Sequence, residues 1–497
     1  MLRATGLVTL VGILMQAAGF LRTSMIAAML GVSLDVDAYN LGLIAPTFIA
    51  SVVVGWLQTG FAGRYAAMLA NGETALAAAY RARMLRLVAA IALSSALVLS
   101  LQASAISALM LPAGRGETMR AAALALQVVA WTLPPIIIGD YLALVLNAHG
   151  RFLSAAAAPL ASVLASVVAL WQWPTVDVGA LVWSLLIGNA LQALVVIVAI
   201  TGMGASFPLD TRLARGEVAT SLRLAPALVS GSLLINAAIA IVPLQCARLG
   251  DGAAAVYGYA SRLHGAASQI LVVGLVTVLL PHLSTLWAKG AKSEILALYR
   301  QIARLVVLLA AGVLVGVLLM GDLAVEVLFA RGRFDNAVAR QVAEVWGVLS
   351  LALLPSMLGT FIGKLAAAVR DARALFVAGA VMLAVVWPTS TTGVATGSLS
   401  LVSASLALGV LATAAAWLGW LRAHVRVGPI IADIGRALGL AAGLLVPAVA
   451  LDRVVHGLAM AQGGIVELAV RGGCLAALAA GAVAVPRVRR WLLGTPA

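Results

Sequence analysis

The run MLRLVAAIALSSALVLSLQASAISALML occupies residues 84–111 and carries no charge after Arg86. The uncharged part, Leu87 to Leu111, spans about 37 Å as a helix, at 1.5 Å per residue. That exceeds the ~30 Å hydrocarbon core of a bilayer. A strand of a membrane barrel alternates apolar and polar residues, whereas here the apolar positions are continuous. The segment reads as a membrane-spanning helix, and similar runs recur along the 497 residues. Composition agrees: 63% of the chain is hydrophobic, 10% is charged, and mean hydropathy is +1.09. A soluble domain is roughly half apolar and a quarter charged, so a soluble fold is excluded. Disorder, which needs low hydrophobicity, is excluded too.

The net charge of +14 does not point to nucleic acid, because the arginines fall in small groups between apolar runs rather than on one face. Cys246 and Cys474 form no redox or metal spacing, and His149, His264, His282, His424 and His456 are scattered. No metal or cofactor is expected. Paired carboxylates, a phosphate-binding loop and a nucleophile elbow are all missing from the sequence, so transport rather than catalysis is expected.

Breaks at Gly, Pro and charge clusters divide the chain into fourteen expected helices: 5–30, 40–69, 84–111, 120–146, 152–171, 179–202, 220–246, 254–286, 303–329, 339–364, 373–392, 397–421, 436–451 and 462–485. The apolar stretch opening the chain runs to about Leu30, too long for a cleaved signal, and is read as a retained span. With the N-terminus inside, the inner segments hold 21 Lys and Arg and the outer segments seven. By the positive-inside rule both termini are expected in the cytoplasm of a bacterial inner membrane.

An internal repeat appears at an offset of about 219 residues: Gly31 matches Gly250, Leu69–Gly72 matches Trp287–Gly290, Tyr80-Arg81 matches Tyr299-Arg300, Pro135–Gly139 matches Pro355–Gly359, and Arg151 matches Arg370. Each repeat holds six helices. The expected fold is therefore an all-α polytopic membrane protein. Two six-helix lobes in parallel repeat, 1–218 and 219–425, are followed by a terminal helix pair, 426–497. Such twin lobes suit rocking about a central cavity.

Charges inside spans are costly and mark function by default. Arg22 and Arg262 each lie about eight residues from the outer end of a helix, one in each lobe, and guanidinium suits bidentate phosphate binding. The alternative is that each snorkels or pairs with an acid such as Asp37. Arg64, Asp140 and Lys364 lie toward inner helix ends and form a candidate inner gate. Glu467 and Arg471 form an i,i+4 pair read as structural, and His264 reads as a packed, satisfied histidine.

Three islands carry a resemblance: Gly19-Phe20-Leu21-Arg22 with Ala27, Gly31 and Asp37-Ala38; Leu146-Asn147-Ala148-His149-Gly150-Arg151-Phe152 with Pro159; and Tyr259-Ala260-Ser261-Arg262-Leu263 leading to Leu279-Leu280-Pro281-His282. At these residues the chain resembles the MurJ/MviN family, the lipid II flippases of the multidrug/oligosaccharidyl-lipid/polysaccharide exporter superfamily. The resemblance implies a flippase moving a polyprenyl-pyrophosphate-linked glycan, a peptidoglycan precursor, from the inner to the outer leaflet. It implies cavity arginines on the pyrophosphate, a groove for the polyprenyl tail on the last two helices, and coupling to the membrane potential or an ion. Departures are also present: Gln16 stands where the family has an arginine, Ser261 where it has an aspartate, and Ala50 and Ser51 where it has an arginine pair. The expected substrate-binding set is thus Arg22, Arg262, Asp37, Gln16 and Ser261. The rival expectations are a flippase for an exopolysaccharide precursor and a multidrug-type exporter.

Overall fold

A computed structural model describes residues 2–111, 115–288, 290–369, 371–459, 464–485, 488 and 491–492. Among these residues every regular element is a helix. The chain divides into two compact units, Met1–Ala255 and Val256–Ala497. The first holds α1 (Leu2–Leu30), α2 (Leu34–Trp56), α3 (Gly63–Ala70), α4 (Thr74–Leu101), α5 (Ala103–Met110), α6 (Gly116–Val129), α7 (Leu133–Ala148), α8 (Phe152–Trp171), α9 (Val178–Thr201) and α10 (Arg215–Leu249). It also includes the first residues of α11 (Ala253–Ala288). The second holds the rest of α11, then α12 (Lys292–Phe329), α13 (Asn336–Ser350), α14 (Leu353–Val369), α15 (Ala372–Ala395), α16 (Leu399–Arg422), α17 (Gly428–Ala459) and α18 (Gly464–Ala484).

Among the described residues twelve helical stretches are long and apolar enough to cross a membrane, and the α13–α14 pair, bent by 40°, adds a thirteenth. The expected eighth span coincides with α11, whose side chains from 270 to 285 lie outside the described residues. Several boundaries move, two in the second unit by the most. The span expected from 303 begins at Lys292, and the short span expected over 436–451 extends over Gly428–Ala459. Both extensions carry charges that a hydropathy reading assigns to loops. Arg300 and Arg304 on α12 meet Asp433 on α17 at 2.7 and 2.9 Å. That pairing lets helix continue through them.

The repeat is visible in hydrogen bonds as well as residue types. The turn before α4 closes with Glu73 N–H on Met68 O at 3.0 Å, and the turn before α12 closes with Ala291 N–H on Leu286 O at 3.0 Å. Gly72 and Gly290, at φ +75° and +66°, occupy the left-handed position each turn needs. The break between α6 and α7 recurs between α13 and α14, each second helix opening just before a proline pair or a proline, Pro134-Pro135 and Pro355. Arg151 N–H reaches Leu146 O at 2.9 Å, as Asp371 N–H reaches Ala366 O at 2.9 Å. N-caps recur as well: Asp177 accepts from Ala180 N–H at 2.8 Å, and Ser398 accepts from Leu401 N–H at 3.2 Å.

Close backbone approach joins the last two helices of each repeat. A Cβ on Gly188 of α9 would stand 2.5 Å from Ser162 O of α8. On Gly409 of α16 it would stand 2.4 Å from Val386 and 3.3 Å from Met382 O of α15. Within lipid no hydrophobic force separates helix–helix from helix–lipid contact, so small residues that admit a neighbouring backbone supply the packing.

Candidate functional site

Arg22 lies eight residues before the end of α1 and is 8% exposed. Its Nη1 donates to the Tyr39 hydroxyl of α2 at 3.1 Å, and its Nη2 donates to Leu181 O of α9 at 3.5 Å. The guanidinium also lies 5.7 Å from the Tyr39 ring centroid, and its Nε is buried without a partner. A phenol and a peptide carbonyl hold it in place, and neither neutralises it.

Asp37 is not its counter-ion. One carboxylate oxygen accepts from Gly252 N–H at 2.5 Å and the other from Ala255 N–H at 2.6 Å. Asp37 thereby caps the start of α11, where unpaired N–H groups favour a carboxylate. Gly252, at φ +84°, turns the chain so that its N–H points there. The residue thus ties α2 to the first turn of α11.

Gln16 is half-buried on α1, and Arg262 is half-buried on α11, nine residues into that helix. Ser261 donates its hydroxyl back to Gly258 O at 3.0 Å, a bond within its own helix. His264, expected to be satisfied, has a buried Nδ1 with no partner.

The candidate gate residues go to local partners. Arg64 of α3 is hydrogen-bonded to Glu217 of α10. Asp140 of α7 accepts from Gln192 Nε2 of α9 at 3.3 Å. The side chain of Lys364 lies outside the described residues.

Sequence reading missed a polar relay in the first unit. The span that begins with α2 contains a π-helical turn, Leu57–Ala62, before α3. It puts Phe61 against Tyr65, Tyr80 and Tyr141, at 5.1, 5.3 and 4.9 Å between ring centroids. Arg81 Nη1 donates to the Tyr65 hydroxyl at 2.8 Å, and that hydroxyl lies 3.0 Å from His149 Nε2. His149 belongs to the second island of the resemblance, which was the available signal. Burial, followed by the charges of Arg81 and Arg151, draws its imidazole below the ordinary value.

In the second unit α12, α17 and α18 line an apolar groove of about 640 Å³, with Leu308, Gly316, Gly439, Leu444, Gly472 and Leu475 among its walls. Beside it Arg471 of α18 donates to both Asp452 oxygens at 2.7 Å, to Glu467 at 3.0 Å and to Leu319 O at 2.9 Å. The expected Glu467–Arg471 pair is therefore part of a larger knot that joins three helices.

Helices of this length and order define a polytopic, all-helical membrane protein. The fold is that of a solved lipid II flippase MurJ in an inward closed conformation: TM-score 0.75 at 14% identity, covering 96% of this chain and 98% of that one. A multidrug resistance MATE family transporter of the MOP superfamily, inward-facing, gives a TM-score of 0.66 at 12% identity and covers 84% of this chain and 95% of that one. The family model for lipid II flippase MurJ matches residues 26–469, and the chain belongs to that family. A probable lipid II flippase MurJ of Bdellovibrio bacteriovorus is 27% identical over 214 residues, 42% of this chain. The match spans 41% of that relative's length.

Proposed function

We propose that this protein carries a polyprenyl-pyrophosphate-linked glycan, of the lipid II kind, from the inner to the outer leaflet by alternating access. Family membership and the match to a MurJ fold over 98% of its length support this reading. The observation that carries it is Arg22: a guanidinium 8% exposed, held by two neutral oxygens, with Nε unpartnered. A buried charge without a counter-ion is expensive, and a diphosphate brought to Arg22 supplies the missing acceptors. Arg262 is the other candidate cation. The polyprenyl tail stays in lipid, since each CH₂ kept from water is worth ~0.8 kcal/mol. The groove on α12, α17 and α18 suits that tail. Both termini are cytoplasmic, as the arginine distribution requires.

The test is native mass spectrometry of the purified protein with lipid II, undecaprenyl monophosphate and an exopolysaccharide precursor. Retention of the pyrophosphate lipid over the monophosphate supports the reading, because charge-assisted contacts to the second phosphate are lost. Equal retention of the two overturns it, and retention of the exopolysaccharide precursor alone moves the protein to another glycan.

A further inference from the structure

A second cavity, of about 840 Å³, lies in the second unit where α12 begins, α16 ends and α17 begins. Its walls include Lys292, Leu296, Arg422, His424, Arg426 and Pro429, and no carboxylate lines it. Lys292, Arg422 and Arg426 are exposed, and none of the three enters an ion pair among the described residues. The acids on adjoining elements are held elsewhere or stand outside the wall. Asp371 accepts from Trp420 Nε1 at 2.9 Å and from Ala374 N–H at 3.0 Å, and Glu294 projects from α12 without lining the cavity. His424 is braced, its Nδ1 3.0 Å from Trp420 O and its ring 4.2 Å from the Trp420 ring. Ala291, the N-cap of α12, offers no side-chain acceptor, so the positive end of that helix adds to the field.

Position decides the ligand. Lys292 is the first residue of one membrane span, Arg422 the last of another and Gly428 the first of a third. Three helices able to cross a membrane therefore end around the cavity, which puts it at the membrane surface beside the lipid headgroups. Cations collect anionic lipid at that depth, and Leu296, Val425, Val427 and Pro429 give the same cavity an apolar wall.

We propose that this cavity binds the phosphate of an anionic phospholipid headgroup, with Lys292, Arg422 and Arg426 as its cations. The site lies apart from Arg22 and stands whether or not the glycan-lipid reading holds. The experiment is native mass spectrometry of the full-length protein offered equal phosphatidylglycerol and phosphatidylcholine. The unaltered protein retains phosphatidylglycerol in preference. Each lost cation weakens that retention about fivefold, so K292Q/R422Q/R426Q lowers it about a hundredfold. R331Q/R333Q/R340Q, which removes the same charge at the far end of α12, leaves it within about twofold. R426Q alone, about fivefold weaker, carries the test if the triple variant loses its thermal transition. Unchanged phosphatidylglycerol retention in the cavity variants overturns the proposal. So does full displacement of the lipid by millimolar inorganic phosphate, which assigns the cavity to a soluble anion.

Discussion

At the scale of single residues, an unneutralised charge separates binding from stability. Removing one partner of a buried ion pair destabilises, because it strands the other charge. Arg22 strands nothing: its partners are the Tyr39 hydroxyl and Leu181 O. Arg22→Gln is expected to keep or slightly raise the melting temperature while weakening pyrophosphate-lipid binding by about 2–3 kcal/mol, roughly 30- to 150-fold. Paired thermal denaturation and lipid titration check it, and a fall in stability matching the fall in binding contradicts the assignment. His149 gives a pH prediction. Its folded pKa lies below the ordinary value of about 6.5, so the unfolded chain takes up the proton first as pH falls. The stability it contributes is present above about 6.5 and drains away as pH drops toward the folded value. Protonated Nε2 also ceases to accept from Tyr65. Melting curves from pH 8 to 5 are expected to fall less steeply in His149→Gln; identical slopes contradict the relay. Arg22 was legible because a charge inside an apolar run is conspicuous. The partners of Arg64 and Arg22 were not, since Glu217 and Leu181 lie 153 and 159 residues away in sequence.

At the scale of elements, the pairing of α8 with α9 and of α15 with α16 rests on glycines that the sequence does not single out among its 48. Their roles emerge only when the repeat is carried into contacts, where Gly188 and Gly409 take corresponding places. Gly188→Leu must push Ser162 O aside and is expected to cost about 1–3 kcal/mol. Gly347→Leu, whose Cβ meets nothing within 4 Å, serves as the control. Thermal melts of the two variants decide it, and equal melting temperatures contradict the close-approach argument. The knot on α18 behaves in the opposite way to Arg22. Arg471→Ala leaves Asp452 buried and unpaired and Glu467 with His456 alone, and a loss of about 3–5 kcal/mol is expected. Arg471 together with Asp452 and Glu467, all replaced by apolar residues, is expected to recover most of that loss. Hydropathy showed α17 as a short segment because Asp433 and Arg436 read as a loop. The pairing of Asp433 with Arg300 and Arg304 depends on contacts across 129 to 133 residues, which no local pattern reports.

For the whole molecule, span count and lobe repeat were readable because both are written in local signals: apolar length, and the Gly and Pro that end helices. The repeat register shows why. Gly72 and Gly290 sit at φ +75° and +66° in matching turns, so the residue type is dictated by backbone geometry in both copies. The division of the chain differs by criterion. Sequence register separates α10 from the first six spans, whereas spatial contact groups it with them, because α10 packs along α2 through Trp56 Nε1 on Ser221 O at 3.4 Å. Orientation across the membrane is a property of the whole chain, and the arginine asymmetry predicts it. Single cysteines are placed in a chain whose Cys474 is replaced by Ala, with Cys246 left because it is fully buried. Thr175 and Arg331, exposed in loops after α8 and α12, are expected to label from the periplasm of intact cells. Glu73 and Ser293, exposed at the starts of α4 and α12, are expected to label only after permeabilisation. Reversed labelling would invert the positive-inside assignment, turn the direction of transport around and place the basic cavity at Lys292 in the outer leaflet. Mixed labelling at one site would instead show that insertion is not uniform. Because 21 cations stand against seven in the two sets of segments, Ser293 is expected to stay protected in intact cells.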